Sequence, residues 1–246
     1  MKLGKLLVII SLLTIILSCS NSRRKNIDKQ IIEQEEVQKS ELSELYEEAR
    51  YYIDGLQFIE YVKQVGDDYY HAIYDNSENA IIPFSRNFTD FSEYFAYVNG
   101  TRKKFFIGYS SFSSKLGGEL FDAKFNTIVT RRSDIDIVIE TKQTFSYVHA
   151  SNDNYEGVIG MDGRIILDIN SKQYEIISLE ELDNKHLFFV TWSNYKYELY
   201  DLDGRLILEA VDYWLSYDDD CIYYDTEYSS NRKMKFRDII NEYNVG

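Results

Sequence analysis

The segment Leu199-Tyr200-Asp201-Leu202-Asp203-Gly204-Arg205-Leu206-Ile207-Leu208 decides the fold of this chain, because a related pattern occurs four times. It consists of the end of a strand, a turn of about four mostly polar residues, and a strand of aliphatic residues. Glycine adopts a positive φ without a steric penalty, and aspartate accepts hydrogen bonds from N–H groups of the turn. Asp203-Gly204 therefore predicts a tight reversal, and the whole segment predicts a β-hairpin.

Three further segments align with this one, at residues 73–82, 120–129 and 158–167. The third copy has Asp162-Gly163 at its turn, as the fourth has Asp203-Gly204. The copies lie roughly 40 residues apart, which is a period typical of repeat proteins. A further aromatic strand is expected to follow each copy, and these strands are expected to begin at Tyr94, Phe145, His186 and Cys221.

Short apolar and aromatic segments alternate with turn-forming clusters from Gly55 onward, which predicts many short strands. The 22 tyrosines and 14 phenylalanines favour strands as well. The predicted fold is therefore mainly β: an antiparallel repeat domain of about four units, arranged as a stacked or curved sheet or like a propeller. The ten clearest predicted strands are 58–62, 70–74, 80–84, 94–98, 105–109, 135–139, 145–149, 174–179, 187–192 and 221–224.

One short amphipathic helix is predicted ahead of these strands, over residues 40–54. Ser40 is a suitable N-cap and Gly55 a suitable stop. Apolar residues recur at spacings of three and four, which places them on one helical face. They are Leu42, Leu45, Tyr46, Ala49, Tyr52 and Ile53.

The N-terminus has the layout of a signal peptide, with a basic start followed by an apolar run from Leu6 to Leu17. A helix of this length is too short to cross a hydrocarbon core of about 30 Å. Ile16-Leu17-Ser18-Cys19 resembles the bacterial lipobox. That resemblance implies cleavage between Ser18 and Cys19, a diacylglyceryl group on the Cys19 sulfur, and usually acylation of the new amino group, for example with palmitate.

The domain organisation follows from this interpretation. Residues 1–18 are the predicted lipoprotein signal peptide, and residues 19–39 are a polar tether with no clear apolar period. Residues 40–246 hold the predicted helix and the β-repeat domain. The expected location is the cell envelope, with the protein held by its lipid anchor on the periplasmic face or at the cell surface.

The third and fourth copies resemble the repeat unit of the WG-repeat family of bacterial β-repeat proteins. That unit reads roughly aromatic-x-Asp-x-x-Gly-Lys/Arg-x-Ile/Val-Ile/Val and precedes a tyrosine-rich strand. The first two copies lack the glycine, the Trp-Gly dipeptide is absent, and the usual proline is present only as Pro83. The likeness covers residues 57–228. It implies an extracytoplasmic protein whose repeats stack in a sheet-rich array, and it implies no catalytic residues.

The charge of the chain argues against nucleic acid as a partner. Removal of residues 1–18, which include Lys2 and Lys5, changes the formal net charge from −14 to −16. Phosphate contacts supply most of the affinity for nucleic acids, so a strongly acidic chain binds them poorly. After lipidation of Cys19 only Cys221 is left, and we expect a buried structural thiol there and no intramolecular disulfide.

No motif in the sequence names a reaction, a metal site or a cofactor. His71, His149 and His186 are far apart, which gives no metal-ligand spacing, and turn aspartates explain Asp201, Asp203 and residues 218–220 better than calcium does. There is no Gly-x-Ser-x-Gly elbow and no glycine-rich phosphate loop. We therefore expect no enzyme, no metal and no cofactor.

Exposed tyrosines are the feature of the sequence that points to a function, since tyrosine is enriched at recognition surfaces. The first expectation is a non-catalytic envelope lipoprotein that binds a protein or a glycan, or acts as a scaffold. The alternatives are an envelope hydrolase with an unrecognised carboxylate site and, with no specific motif behind it, an inhibitor lipoprotein. The tyrosine stripes are Tyr195, Tyr197 and Tyr200, and Tyr213, Tyr217, Tyr223 and Tyr224.

Overall fold

The structure is a computed structural model that describes residues 45–110, 117–132, 135–169 and 174–243. The predicted signal peptide, the cleavage site at Ser18 and Cys19, and the tether lie outside the described residues. The chain divides into two compact units, one up to Ile81 and the other from Ile82. The described part of the first unit is essentially one sheet, and the second unit holds four sheets and a helix.

Nineteen strands lie in the described part of the chain, and they are connected as successive antiparallel meanders. They are β1 (Tyr46–Ile53), β2 (Leu56–Val65), β3 (Asp68–Asp75), β4 (Ala80–Ile82), β5 (Asp90–Val98), β6 (Thr101–Ser110), β7 (Gly117–Asp122), β8 (Thr127–Val129), β9 (Asp136–Lys142), β10 (Phe145–Ser151), β11 (Glu156–Gly160), β12 (Ile165–Leu167), β13 (Ile176–Leu182), β14 (His186–Ser193), β15 (Lys196–Tyr200), β16 (Leu206–Ala210), β17 (Asp212–Ser216), β18 (Cys221–Thr226) and β19 (Ser229–Lys235). A 3₁₀ turn spans Phe84–Arg86, and the helix α1 spans Phe236–Tyr243.

The strands form five sheets in chain order within the described residues, and this confirms the mainly β, antiparallel prediction. The first to fourth sheets each contain four consecutive strands: β1–β4, β5–β8, β9–β12 and β13–β16. The fifth sheet contains only β17, β18 and β19, and α1 follows it directly. Each of the four repeat segments forms the hairpin between the third and fourth strands of its own sheet.

The four hairpin turns share one backbone geometry, although their residue types differ. In the fourth sheet the N–H of Gly204 donates to the carbonyl of Asp201, and the N–H of Asp201 donates to the carbonyl of Arg205. The same pair of bonds occurs in the other three turns. The residue before the last turn position has a positive φ in every copy, namely Glu78, Phe125, Gly163 and Gly204. This is the three-residue hairpin loop, a type I turn followed by a left-handed residue.

Besides the positive φ, Gly163 and Gly204 have a second reason to be glycine, which is a close contact with the neighbouring sheet. A Cβ on Gly204 would lie 2.0 Å from the carbonyl oxygen of Ile166 in β12, the outer strand of the third sheet. A Cβ on Gly163 would lie 2.8 Å from the carbonyl oxygen of Ile128, in the outer strand of the second sheet. Each of these turns therefore rests on the backbone of the preceding sheet, at a distance that only glycine allows.

The core of the second unit lies between consecutive sheets. Val148 and Ala150 of β10 pack toward the second sheet, whereas Tyr147 packs toward the fourth. Because side chains alternate between the two faces of a strand, one strand contributes to two cores. Between the fourth sheet and the fifth, Phe188 packs with Ile222, and α1 adds Phe236.

The helix predicted over residues 40–54 is wrong for the part that the structure describes, because residues 46–53 form β1. Ala49, Tyr51 and Ile53 alternate inward, whereas Arg50 and Tyr52 face solvent. Asp54 and Gly55 both have positive φ, so they form a two-residue hairpin turn and pair Ile53 with Leu56. Asp-Gly is therefore a hairpin signal here and not a helix stop.

Two further expectations need correction. Phe145, His186 and Cys221 begin the second strands of their sheets, as expected, but Tyr94 lies inside β5, the first strand of its sheet. The second strand of that sheet is β6, which begins at Thr101, so the prediction placed the aromatic run at Tyr94 one strand too far along. The expected number of about four units missed the fifth sheet, because it lacks a fourth strand and therefore lacks the repeat segment.

The buried carboxylate of Asp201 leads to a prediction. Asp75 and Asp122, at the equivalent position, use Oδ1 to accept turn N–H groups and Oδ2 to accept the side-chain amides of Asn79 and Asn126. Asp201 makes the same Oδ1 bonds, but its buried Oδ2 has no hydrogen-bond partner among the described residues. Arg205 replaces the asparagine, and its Nε is 3.9 Å away.

Arg205→Asn is expected to raise the free energy of unfolding by about 1 kcal/mol, because the new amide would satisfy this oxygen. Chemical denaturation measures the change. Arg205→Ala is the matched control, since it removes the arginine without adding an amide. Equal stability of the two variants would contradict the prediction.

Candidate functional site

An aromatic groove opens between the fourth and fifth sheets and has a volume of about 410 Å³. Its aromatic walls are Trp192 of β14, Tyr197 of β15 and Tyr213 of β17. The rings of Tyr197 and Tyr213 are 5.4 Å apart between centroids, with planes at 70°. The remaining lining residues are Ile176, Ser178, Glu180 and Val190.

Strand register places these side chains together. Trp192 pairs directly with Tyr197 on one side and with Ile176 on the other, so the three form a row across the fourth sheet. Ser178 pairs with Val190 in the next row of the same face. In the fifth sheet, β17 lies against β15 and brings Tyr213 opposite Tyr197. Ile176 remains 58% exposed, so the groove is open to solvent along β13.

Polar groups are few in the groove, and they come from β13 and the phenols. The hydroxyl of Ser178 donates to Oε1 of Glu180 at 3.1 Å, which holds that carboxylate in place. Burial raises the pKa of Tyr213 to about 12, and the negative charge of Glu180 contributes to the rise. The Tyr213 phenol therefore stays protonated at neutral pH and is available as a hydrogen-bond donor.

The structure separates the predicted tyrosine stripes, because alternate residues of a strand point to opposite faces. Only Tyr197 and Tyr213 meet in the groove. Tyr195 is 84% exposed and packs edge-on against Trp192, at 6.1 Å between centroids. The other members lie elsewhere: Tyr200 and Tyr224 are buried, Tyr217 donates to the carbonyl of Glu181, and Tyr223 stacks on Trp214 on the outer face of the fifth sheet.

Sequence reasoning missed Trp192 and Glu180 as site residues. Trp192 was expected only as the end of a strand, and Glu180 stood among many carboxylates. The signal that could have found Trp192 is its cross-strand position opposite Tyr197 in the hairpin of β14 and β15. The contribution of Tyr213 depends on how two sheets pack, which no local pattern specifies.

The predicted repeat-turn residues border a second, polar groove of about 490 Å³ at the turn end of the second to fourth sheets. Asp162 and Asp203 both line it, and Arg164 pairs with Asp203 at 2.8 Å. Gly163 and Gly204 stand in the same turns, but their contacts are with the backbone of the preceding sheet. The two glycines therefore have a structural role, which is to let each turn lie against the sheet before it.

A second cluster of polar side chains surrounds His149 in the third sheet. Its Nε2 is 3.2 Å from Oε2 of Glu156, and its Nδ1 is 3.5 Å from Oε1 of Glu140. Tyr147 donates to Glu140 at 2.5 Å, and burial raises the pKa of this phenol. Glu156 also accepts the N–H of Ile177 in β13, so this carboxylate joins two sheets.

The other histidines and the cysteine have local partners. His71 contacts the buried Glu60 at 2.6 Å, and His186 contacts Asp183 at 2.9 Å. The thiol of Cys221 is buried and donates to the carbonyl of Asp219, as expected of a structural thiol. Within the part of the chain that the structure describes, no three His, Cys, Asp or Glu side chains come together as a set that could hold a metal ion.

The described residues contain no helix that is long and apolar enough to cross a bilayer. Comparison with protein families, with curated proteins and with solved structures found no match to this chain.

Proposed function

We propose that this chain is a lipid-anchored, non-catalytic binding protein of the cell envelope, and that the aromatic groove is where it recognises a protein or a glycan. The observation that carries the proposal is the meeting of Trp192, Tyr197 and Tyr213 around one solvent-open groove. Its volume of about 410 Å³ falls in the range of ligand sites, roughly 300 to 1,000 Å³.

The chemistry of the groove supports binding. Large rigid aromatic side chains with a polar tip provide contact area at low cost in conformational entropy, which is why they dominate recognition surfaces. The hydroxyls of Tyr197, Tyr213 and Ser178 can donate to or accept from a polar ligand, and Glu180 can accept. Such a site suits a sugar ring or a protruding protein side chain.

The repeat architecture supports a scaffold of this kind. Within the second unit consecutive sheets pack on one another, and the walls of the groove belong to strands and not to loops. The tether of residues 19–39, which lies outside the described residues, would hold the domain away from the membrane surface.

Substitution in the groove is expected to abolish ligand capture. The protein would be crosslinked in cells and co-purified, and in parallel applied to a glycan array. We expect one stoichiometric partner or one glycan class to be retained by the natural protein and lost from Tyr213→Ala, because truncation of a central aromatic anchor typically weakens binding by about 2 kcal/mol or more.

Trp214→Ala is the matched control for this experiment. Trp214 neighbours Tyr213 on β17 but lies on the opposite face, stacked on Tyr223 at 5.6 Å between centroids. The control variant should retain the ligand. Equal retention by Tyr213→Ala and Trp214→Ala would contradict the groove as the recognition site.

An envelope hydrolase is the second candidate function, and the carboxylates of Glu140 and Glu156 on either side of His149 are the observation that favours it. Two carboxylates beside one imidazole can provide a general acid and a general base. Hydrolysis of an envelope polymer that disappears in Glu140→Gln, with ligand capture unchanged in Tyr213→Ala, would favour this candidate over the binding protein.

A further inference from the structure

The aromatic groove has the composition of a site for an organic cation. Three aromatic side chains, Trp192, Tyr197 and Tyr213, and one carboxylate, Glu180, line the same space. The face of an aromatic ring carries partial negative charge, and it attracts a cation placed within about 6 Å of the ring centroid. Tyr197 and Tyr213 contact each other edge to face, with centroids 5.4 Å apart and planes at 70°, so the two rings form one aromatic corner of the groove.

No lysine or arginine is among the residues that line this groove. Cation–π contacts elsewhere in the described part of the chain are made by Arg86 and Arg131 to Phe88, by Arg102 and Lys104 to Phe95, and by Lys233 to Tyr223. Lys196, beside Tyr197 on β15, pairs with Glu227 at 3.0 Å. The negative charge of Glu180 is felt at Tyr213, whose pKa it helps to raise to about 12.

A methylated cation suits this lining better than a primary ammonium group does. A lysine ammonium carries three N–H donors, which in this open groove would be satisfied by water and by the few hydroxyl and carboxylate acceptors and not by the ring faces. A quaternary ammonium carries none, so ring faces and one nearby carboxylate are sufficient partners. The hydroxyl of Ser178 donates to Oε1 of Glu180, which holds the carboxylate beside the rings.

We propose that the aromatic groove binds a soluble quaternary ammonium compound, with Trp192, Tyr197 and Tyr213 around the methylated nitrogen and Glu180 balancing its charge. This inference rests on the proposed function and names the ligand class of the same site. A soluble ligand is favoured over a lipid headgroup, because in the proposed function the tether holds the domain away from the membrane surface.

Tryptophan fluorescence provides a direct test. The chain has 2 Trp residues, so Trp214→Phe leaves Trp192 as the reporter inside the groove. This background protein would be titrated with choline and with 3,3-dimethyl-1-butanol, the neutral compound of the same shape. Choline is expected to bind at least about tenfold more tightly, since the two differ only in charge.

Two variants in the Trp214→Phe background assign the effect to residues. Tyr213→Leu keeps an apolar wall but removes the ring, and Glu180→Gln keeps the shape but removes the charge. Both are expected to weaken choline binding by about tenfold or more while leaving the weak binding of the neutral compound unchanged. Tyr213→Phe keeps the ring and should keep the affinity, which separates a role in the groove from a role in folding.

The possible outcomes decide the inference. Equal affinity for choline and its neutral analogue would overturn it, as would choline binding that Tyr213→Leu and Glu180→Gln leave unchanged. Binding to phosphatidylcholine vesicles without binding of soluble choline would overturn the assignment of a soluble ligand. If choline fails to bind while partner capture still depends on Tyr213, the cation assignment falls and the proposed binding function stands.

Discussion

Replacing Gly204 with alanine is expected to lower the free energy of unfolding by about 3 kcal/mol or more. Part of the loss comes from the backbone, because a left-handed conformation costs an L-residue with a Cβ about 1–2 kcal/mol, and φ of Gly204 is 82°. The larger part comes from contact, since the new Cβ would lie 2.0 Å from the carbonyl oxygen of Ile166. Neither backbone can move without separating the third and fourth sheets.

Gly100→Ala is the control, and it separates the cost of the positive φ from the cost of the steric contact with Ile166. Gly100 has φ of 69°, and nothing lies within 4 Å of the position that its Cβ would occupy. This variant should lose only the backbone contribution of about 1–2 kcal/mol. Denaturant titration of both variants measures the difference, and equal losses would refute the close contact between the Gly204 turn and β12.

Substitution of Cys19 by alanine is expected to remove the acyl mass from the chain and to lower the share of the protein in the membrane fraction. The proposed anchor consists of acyl chains on this cysteine, and each buried methylene contributes about 0.8 kcal/mol to membrane affinity. Without the thiol no diacylglyceryl group can be attached, and the tether alone offers only weak attraction through Arg23, Arg24 and Lys25. Fractionation and mass spectrometry of the mature N-terminus measure the outcome.

Cys221→Ala is the matched control, because it removes the other cysteine of the chain, whose thiol is buried. That variant should stay in the membrane fraction and carry the same added mass as the natural protein. If the natural protein has an intact N-terminus that begins at Met1 and lacks acyl groups, the proposed lipid anchor is contradicted, whatever the fractionation shows.

The repeat was predictable from the sequence because its turn chemistry is local. In Asp203-Gly204 and Asp162-Gly163 the residue types themselves predict the positive φ of the turn. The copies whose positive-φ residues are Glu78 and Phe125 lack glycine, and they could be found only by alignment with the other two. Phe125 adopts φ of 62° without being glycine, and its buried ring stacks on Phe106 at 4.4 Å. Packing therefore imposes at that turn the conformation that glycine permits elsewhere.

The first strand could not be assigned from periodicity alone. Ala49 and Ile53 are four apart, which fits a helical face, and they are also an even number apart, which fits a strand face. The structure resolves the ambiguity through Tyr51 between them, which turns inward and donates to the buried Glu60 of β2. Pairing with β2 decides the conformation of this segment, and the apolar spacing of the segment alone does not contain that pairing.

The candidate site was predictable only in part. The tyrosine content pointed to recognition, and Tyr197 and Tyr213 were among the residues that the sequence singled out. Strand alternation removed Tyr200 and Tyr224 from the surface, which a correct strand register would have predicted. The meeting of Tyr197 with Tyr213 depends on the lateral position of the fifth sheet over the fourth, and sequence patterns contain no measure of that position.

The contact between each turn glycine and the outer strand of the sheet before it gives assembly a direction. Gly163 lies against the backbone of Ile128, and Gly204 lies against the backbone of Ile166, so the third and fourth sheets each dock on a sheet that was synthesised earlier. A nascent chain therefore completes the second sheet before the turn that docks on it, and it completes the third sheet before the next such turn. Chains shortened from the C-terminus at a sheet boundary should accordingly keep their remaining docking contacts. Deletion of the second or the third sheet would instead remove the outer strand on which the next turn docks.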